Sequence, residues 1–347
     1  MSLPTTMRAV VCPRAPIPPR ELVYLTTHPT PKPQDGHVLI RVKGFGLNRS
    51  ELYTRNGESL GFAAAMAFPR ILGIEAVGIV EHAGGGSWKR GDVVAAMMGG
   101  MGRKFDGGYA EYTLVPHGFV SPPVVLPRNL TWAEFAAIPE TFLAAWGTLK
   151  SSLKLQPSES LLIRGGSSSF GLALAALAKS TDPNFGFRAA TVISTTRTES
   201  KTPVLKASGV DHVVIDPPSS KISEAVRSFT NGAGVNKAVE LVGPPVLADT
   251  AAALKPDGVV SVVGSLANVW NADLELLTML MPAKSITMFA SYQLVLSETP
   301  LQAIVDAVAR GDLKLNVDKV FNISETGEAH AYMEANRAAG KVVCLVD

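Results

Sequence analysis

Residues 161–179 read Leu-Leu-Ile-Arg-Gly-Gly-Ser-Ser-Ser-Phe-Gly-Leu-Ala-Leu-Ala-Ala-Leu-Ala-Lys: a short apolar run, a glycine-rich turn and an apolar helix. Few architectures accept that order. A strand that turns directly into a helix lays the helix on the face of its own sheet, and the next strand returns parallel. The first N–H groups of the helix have no intrahelical partner, and its dipole favours an anion there. A pyrophosphate fits that place. Gly166, Ser168 and Gly171 fill the three special positions of the dinucleotide fingerprint G-x-G-x-x-G. The middle position is a serine, which sets a Cβ and a hydroxyl where backbone usually approaches phosphate. Taken alone, the turn reads equally well as any tight strand-to-helix connection. Ser167, Ser169 and Phe170 complete it, and the serine hydroxyls are expected to bond phosphate. No G-x-S-x-G elbow makes a nucleophile of them.

A second strand sharpens the reading. It ends in Ser194-Thr195-Thr196-Arg197, and the first acid beyond it is Glu199. An NAD site normally carries Asp or Glu there, bonding the ribose 2′-hydroxyl, whereas an Arg accommodates a 2′-phosphate. The expected cofactor is therefore NADPH, with Thr195, Thr196 and Arg197 at its adenosine ribose and Lys201 either as a second phosphate partner or, more commonly for such a residue, as an exposed helical lysine. The same residues also read as a solvated helix start capped by Thr198 with Glu199 in its first turn. Both can hold at once.

The surrounding pattern is α/β. Strand-like runs at Leu161–Arg164, Ala189–Ser194, His212–Asp216, Lys237–Val242, Gly258–Gly264 and Ile286–Ala290 alternate with helical runs at Glu199–Ser208, Ile222–Phe229 and Val246–Leu254. This predicts right-handed crossovers and a doubly wound parallel sheet. Ligands then lie beyond the carboxyl ends of the strands, near Gly165, Thr195, Val242 and Gly264. Residues 1–140 read instead as short strands punctuated by Gly and Pro: Arg8–Cys12, His37–Val42, Gly73–Glu81, Lys89–Ala96 and Gly107–Val115. The expected division is a β-rich first part at 1–140, a nucleotide-binding domain at 141–295 and a return to the first domain at 296–347. That return carries a helix at Leu301–Arg310, a strand near Val317–Phe321, a helix ending at Arg337 and a closing strand at Lys341–Val346. The loop Asp182–Arg188 is longer than a tight connection needs.

Charge and cysteine usage exclude several classes. Lys and Arg total 32 against 30 acids, a net charge of +2, which argues against nucleic acid and anionic membranes. No apolar run approaches the ~18 residues of a membrane span, and prolines stand where a signal peptide needs apolar residues. The two cysteines, Cys12 and Cys344, form no C-x-x-C pair, so neither a cysteine-built zinc site nor a disulfide framework is expected. A soluble, cytoplasmic chain follows as the expectation.

Gly73-Ile-Glu-Ala-Val-Gly, Gly107-Gly-Tyr-Ala-Glu-Tyr, the Leu161–Gly171 turn and Ala335-Asn-Arg-Ala-Ala-Gly-Lys-Val-Val343 resemble landmarks of the medium-chain dehydrogenase/reductase superfamily, in order and spacing over nearly the full length. Within it the chain is most similar to the zinc-independent quinone oxidoreductase and enone reductase branch. The resemblance implies a GroES-like β domain split around a Rossmann domain. It also implies a homodimer, often joined through the Rossmann sheet edge. Zinc-dependent relatives hold catalytic metal with a Cys, a His in Gly-His-Glu and a later Cys; Asn48, Ile74 and approximately Ala137 stand at the matching positions. Those side chains cannot supply the thiolate and imidazole set that Zn²⁺ takes, and Glu75, which survives from the motif, is expected to make a local hydrogen bond. No metal is expected.

Without metal an unactivated alcohol is hard to oxidise, so the expected substrate is a small apolar carbonyl or quinone that accepts hydride by conjugate addition. The resemblance puts Asn48 beside the nicotinamide as a polar donor and Thr141 on its face, with Gly264, Ser265 and Leu266 lining the ring and Val242 at the strand end before it. Tyr53 is the candidate donor to a substrate oxygen, or else an amphipathic core tyrosine. Ser50 stands where zinc enzymes carry a proton-relay hydroxyl, and helix capping reads equally well. Asn336 and Lys341 match a closing segment that contacts the cofactor phosphates. Arg49 and Arg55 could reach a carboxylate or phosphate on a substrate, and solvated surface is the more ordinary fate. Trp270, Phe289 and Tyr292 read as pocket walls or as core. Two other functions remain open: an enoyl-thioester or polyketide-pathway enoyl reductase, and an NADPH-binding sensor or interaction protein with little catalysis.

Overall fold

The computed structural model describes residues 3–58, 66–271 and 273–347. They fall into two compact units, the first comprising Met1–Glu140, Leu294–Ala309 and Val317–Asp347, the second Thr141–Gln293 and Arg310–Asn316. In chain order the strands are β1 (Thr6–Cys12), β2 (Val23–Pro29), β3 (His37–Gly46), β4 (Arg70–Ile71), β5 (Glu75–His82), β6 (Val93–Met97) and β7 (Tyr112–Pro116). There follow β8 (Ser160–Arg164), β9 (Thr191–Thr196), β10 (His212–Ile215), β11 (Val235–Glu240), β12 (Leu254–Val262), β13 (Ser285–Met288), β14 (Val317–Asn322) and β15 (Lys341–Leu345).

The first unit is the GroES-like β part. A three-stranded antiparallel sheet runs β2-β1-β4, and a larger sheet runs β14-β15-β3-β5-β6 with β7 also on β3. Strand β3 is long enough to serve three partners: β7 at His37–Arg41, β5 at Leu39–Gly44 and β15 at Gly44–Gly46. Its far end requires glycine, because a Cβ on Gly46 would lie 3.0 Å from the Ala136 carbonyl oxygen and press into the Lys341 and Glu75 side chains. Helix α1 (Arg49–Arg55) follows that end directly. The apolar core joins Met7, Val10, Val38, Ile40, Phe45, Leu72 and Val94 to Phe321, Ile323 and Val342 from the returning chain. Strand β2 was not marked by the sequence pattern: its residues are mostly half-exposed or exposed and show no apolar alternation.

The second unit is the doubly wound parallel sheet, in the order β10-β9-β8-β11-β12-β13. Leu161, Leu162 and Ile163 are fully buried, as strands covered on both faces require. The expected helix over Glu199–Ser208 is a 3₁₀ turn, Glu199–Lys201, followed by an α-helix over Thr202–Ala207, with Pro203 in its first turn. The helix expected over Val246–Leu254 stops at Ala252, because Leu254 already pairs with Val235 as the start of β12. In the returning chain the helix expected to reach Arg337 ends at Glu334, and Asn336 turns the backbone with φ +55°.

The Asp182–Arg188 loop acquires a structural role. At the end of the long helix over Ser169–Lys179, Ser180 N–H serves Ala176 O and Leu177 O, and the later carbonyls need partners from outside the helix. Phe187 N–H donates to Leu177 O and Ala189 N–H to Ala178 O, while Phe185 is buried. The extra residues fold back to close the helix end.

Candidate functional site

The glycine turn of the second unit is built by close approach. Gly165 takes φ +83°, a region that favours glycine. A Cβ on Gly166 would collide with the Ser194 hydroxyl, and one on Gly171 would lie 2.5 Å from Gly166 Cα. Two amides are tied to β9: Gly165 N–H donates to Thr195 Oγ1 at 2.9 Å and Gly166 N–H to Thr195 O at 3.1 Å. The N–H groups of Ser167, Ser169 and Phe170 donate to no other described residue. Three orphaned donors at the start of an eleven-residue helix form a cradle that fits the pyrophosphate of a dinucleotide.

Ser168 does something other than expected. Its hydroxyl accepts from Gly171 N–H at 3.1 Å and donates to Gly165 O at 3.1 Å. It is the N-cap of the helix, and its single proton is committed within the turn, so it cannot donate to a phosphate. Thr195 and Thr196 are also turned inward, 1% and 3% exposed. Thr196 Oγ1 donates toward Ser167 Oγ at 3.4 Å and Thr198 O at 3.3 Å. These hydroxyls support the turn from within. Arg197 is exposed just beyond β9, and no acid side chain lies among Ser194, Thr195, Thr196 and Arg197. Lys201 ends the following 3₁₀ turn.

At the next strand end, Val242 and Gly243 N–H groups both donate to Glu240 Oε1, at 2.7 and 3.0 Å. Leu266 N–H donates to Leu241 O, and Ser265 Oγ donates to Val269 O at 2.7 Å, so Ser265 closes its own loop beyond the half-buried Gly264. Gly243 takes φ +113°, and a Cβ there would lie 2.5 Å from Ser265 Oγ. Thr141 is buried in the helix Pro139–Gly147. Of the expected aromatic walls, Phe289 is buried, whereas Trp270 and Tyr292 are exposed.

Beneath the turn lies a charge network that the sequence reading missed. Arg164 is fully buried. Its Nε and Nη2 fork Asp216 at 2.8 and 3.0 Å, and its Nη1 reaches Asp249 Oδ2 at 2.8 Å. Burial works against its charge, but the hydrogen bonds and charge of Asp216 outweigh it and raise the pKa. Glu240 sits opposite Arg164 in the β8–β11 ladder, and burial pushes its carboxyl up to about 7. The only signal available in the sequence was an arginine closing an apolar strand.

The first unit holds a second cluster around Asn48. Lys341 Nζ donates to Asn48 Oδ1 at 2.6 Å and pairs with Glu75 Oε1 at 2.8 Å. Asn48 Nδ2 donates to Glu75 Oε1 at 3.0 Å and toward Glu51 Oε1 at 3.3 Å. Glu75 also accepts Glu140 N–H at 3.0 Å, and Glu51 accepts Asn48 N–H and Ile74 N–H. Lys341, Glu75 and Glu51 are at most 2% exposed, and burial raises the Glu51 pKa.

This arrangement corrects several expectations. The Asn48 amide has both its oxygen and its nitrogen engaged by the cluster and is not a free donor. The Lys341 ammonium is held between Asn48 Oδ1 and Glu75 Oε1. Glu75 makes long-range contacts, not a local one. Ser50 Oγ donates to Glu51 Oε2 at 3.0 Å. Arg55, read as surface, is buried to 1% and paired with Glu334, and Arg49 donates to the exposed Asn336. Tyr53 is half-buried, with its phenol pKa raised by burial. An engaged amide, the aliphatic Ile74, the methyl of Ala137 and an ammonium do not fit a zinc ion. Among the described residues no group of three or more His, Cys, Asp or Glu side chains could hold a metal.

Comparison with known proteins places these features in a lineage. Residues 34–127 match the alcohol dehydrogenase GroES-like domain, and residues 208–344 match the zinc-binding dehydrogenase domain. Human quinone oxidoreductase is 25% identical over 321 residues, covering 91% of each chain. The NAD-dependent alcohol dehydrogenase of Sulfurisphaera tokodaii is 25% identical over 349 residues, covering 91% of this chain and 94% of its own. The crystal structure of AibC superposes with a TM-score of 0.84 at 29% identity, covering 98% of this chain and 96% of that one. With a GroES-like β unit, a Rossmann sheet and these relatives along its length, the chain is an oxidoreductase of the medium-chain dehydrogenase/reductase superfamily.

Proposed function

We propose that this chain is an NADPH-dependent, zinc-free reductase of quinones or α,β-unsaturated carbonyls. The observation that carries the reading is the second unit's phosphate cradle, with the exposed Arg197 and no acid at the β9 end. Bound nicotinamide cofactor supplies hydride to the conjugated carbon of the substrate. The chain's own share is binding and orientation. The Ser167, Ser169 and Phe170 amides hold the pyrophosphate, and Arg197 meets the 2′-phosphate. Tyr53 Oη donates a hydrogen bond to the substrate oxygen as negative charge grows there.

The donor set around Asn48 supports chemistry without a metal, since the strongest cation in that cluster is the Lys341 ammonium. A small apolar substrate is consistent with likeness to quinone oxidoreductases. Strand β13 is an open sheet edge, and Met288, Leu276, Leu277 and Met281 on or near it are exposed. That edge supports a homodimer as the working assembly.

The cofactor assignment is tested by nucleotide preference. Arg197→Ala is expected to raise the KM for NADPH about tenfold or more while leaving that for NADH within about twofold. Equal KM values for both nucleotides in the unaltered enzyme would overturn the assignment. Tyr53→Phe is expected to lower kcat with NADPH binding unchanged, and unaltered turnover would remove Tyr53 from the reaction.

A further inference from the structure

We infer that Arg164 is a positioning and specificity residue for the nucleotide: its buried guanidinium holds Asp216 in a two-bond fork and so keeps that carboxylate from facing the β9–β10 corner unpaired. The inference rests on the NADPH reading above and deepens it.

Arg164 is the last residue of β8 and immediately precedes the glycine turn. In the sheet it stands opposite Glu240 on one side, and Ile163 beside Ser194 places Thr195 next to it on the other. Every N–H of its fork has an acceptor. Nε serves Asp216 Oδ2, and Nη2 serves Asp216 Oδ1 and Ser220 O at 3.2 Å. Nη1 serves Asp249 Oδ2, Val246 O and Thr250 Oγ1. Asp216 Oδ2 also accepts Thr195 Oγ1–H at 3.3 Å, and Thr195 Oγ1 in turn accepts Gly165 N–H. One unbroken chain of bonds therefore runs from the guanidinium to the first amide of the turn.

The placement of Asp216 gives this chain a consequence for selectivity. Asp216 follows the end of β10, and its N–H bonds Thr196 O at 2.8 Å, so it belongs to the strand-end corner that carries Arg197. A bare carboxylate in such a corner favours a ribose 2′-hydroxyl and repels a 2′-phosphate. Here the acid is held in a two-bond fork by Arg164 and its remaining acceptor capacity faces Thr195 and Ser220. The acid thus serves as a hydrogen-bonded support for the turn. A lysine, a point charge without the planar fork, would not occupy the same acceptors.

The test is titration of the full chain with NADPH and NADH, followed by nicotinamide fluorescence. Arg164→Met is expected to raise the Kd for NADPH about tenfold or more and that for NADH no more than about threefold. Adding Asp216→Asn to that variant removes the unmasked acid and is expected to restore NADPH affinity to within about threefold of the starting value. Thr195→Val, which keeps the branched shape, is expected to weaken both nucleotides about equally by severalfold, because it deprives the Gly165 amide of its acceptor. Unchanged affinities in Arg164→Met, or equal losses with no recovery in the double variant, overturn the inference. Should Arg164→Met fail to fold, Thr195→Val decides it: unaltered NADPH affinity there contradicts the chain of bonds. Failure of the unaltered protein to bind either nucleotide would instead contradict the cofactor reading, and this inference with it.

Discussion

The two units bury charge in the same way and use it differently. Each hides more carboxylates than cations: Glu51 and Glu75 around Lys341 in the first, and Asp216, Asp249 and Glu240 around Arg164 in the second. Each satisfies the surplus with backbone N–H groups. Glu51 takes Ile74 and Asn48, Glu240 takes Val242 and Gly243, and Asp249 takes Ile222. The difference lies in what is left over. In the first unit the cluster engages Asn48 itself, the residue expected from the sequence as a polar donor. In the second it lies beneath the turn, takes up Gly165 and leaves the Ser167, Ser169 and Phe170 amides pointing nowhere else. A buried charge network next to a ligand site can fill it or support it, and this chain does one of each.

The largest expected effect breaks the first cluster. Lys341→Met strands Glu75 without its cation in a buried site, a change that typically costs about 3–5 kcal/mol. Urea unfolding should show a loss of that order, and Lys341→Met combined with Glu75→Gln should recover much of it. A loss below about 1 kcal/mol in the single variant would mean the pair is not the anchor it resembles.

The next contrast is pH, where the units should respond with opposite sign. Burial raises the Glu240 carboxyl from 4.5 to about 7. The folded protein then binds more protons than the unfolded one across that window, and stability falls as pH rises through it. In the first unit burial lowers His330, which bonds Tyr109 Oη at 3.1 Å, from 6.5 to about 3. There the unfolded protein binds more protons, so stability falls as pH drops from 6.5 toward 3. Each contributes about 2 kcal/mol over a pH change of roughly 1.5 units. Glu240→Gln should remove the loss of stability that sets in as pH rises from 4.5 to about 7, and His330→Gln the loss that sets in as pH drops from 6.5 to about 3. If either variant flattens the other's limb, the assignment of the two groups is wrong.

The smallest effect separates capping from binding. Ser168→Ala should cost about 1 kcal/mol of stability as the loss of a helix N-cap. NADPH affinity should hold within about twofold, since the hydroxyl proton already serves Gly165 O. A much larger drop in affinity with unchanged stability would return Ser168 to the phosphate.

The α/β architecture was legible because it is written in local patterns: apolar runs of strand length, a glycine turn, and helices whose period follows directly. The glycines of the turn were legible for the same reason, since Gly166 and Gly171 meet within one turn of chain. The charge networks were not. Arg164 finds its acceptors 52 and 85 residues away, and Lys341 reaches Asn48 across 293 residues. Nothing local distinguishes such an arginine from a solvated one at a strand end, or such a lysine from a phosphate ligand. Strand β2 escaped notice for a related reason, as a half-exposed strand carries no apolar period. Hydroxyls were the hardest to assign. Ser168, Thr195 and Thr196 stand at ligand-binding positions in sequence, yet each has its hydrogen bonds inside the fold.

The proposed reaction is NADPH-driven reduction of a conjugated carbonyl without metal. Initial rates of NADPH and NADH oxidation by chelator-dialysed protein, across benzoquinone, phenanthrenequinone, enones, 2-alkenals and crotonyl-CoA, test it most directly. Turnover is expected with a quinone or enone, faster with NADPH at limiting nucleotide, and unaffected by chelation or added zinc. Turnover that appears only with zinc, or only with NADH, or no turnover of any acceptor despite nucleotide binding, would contradict it.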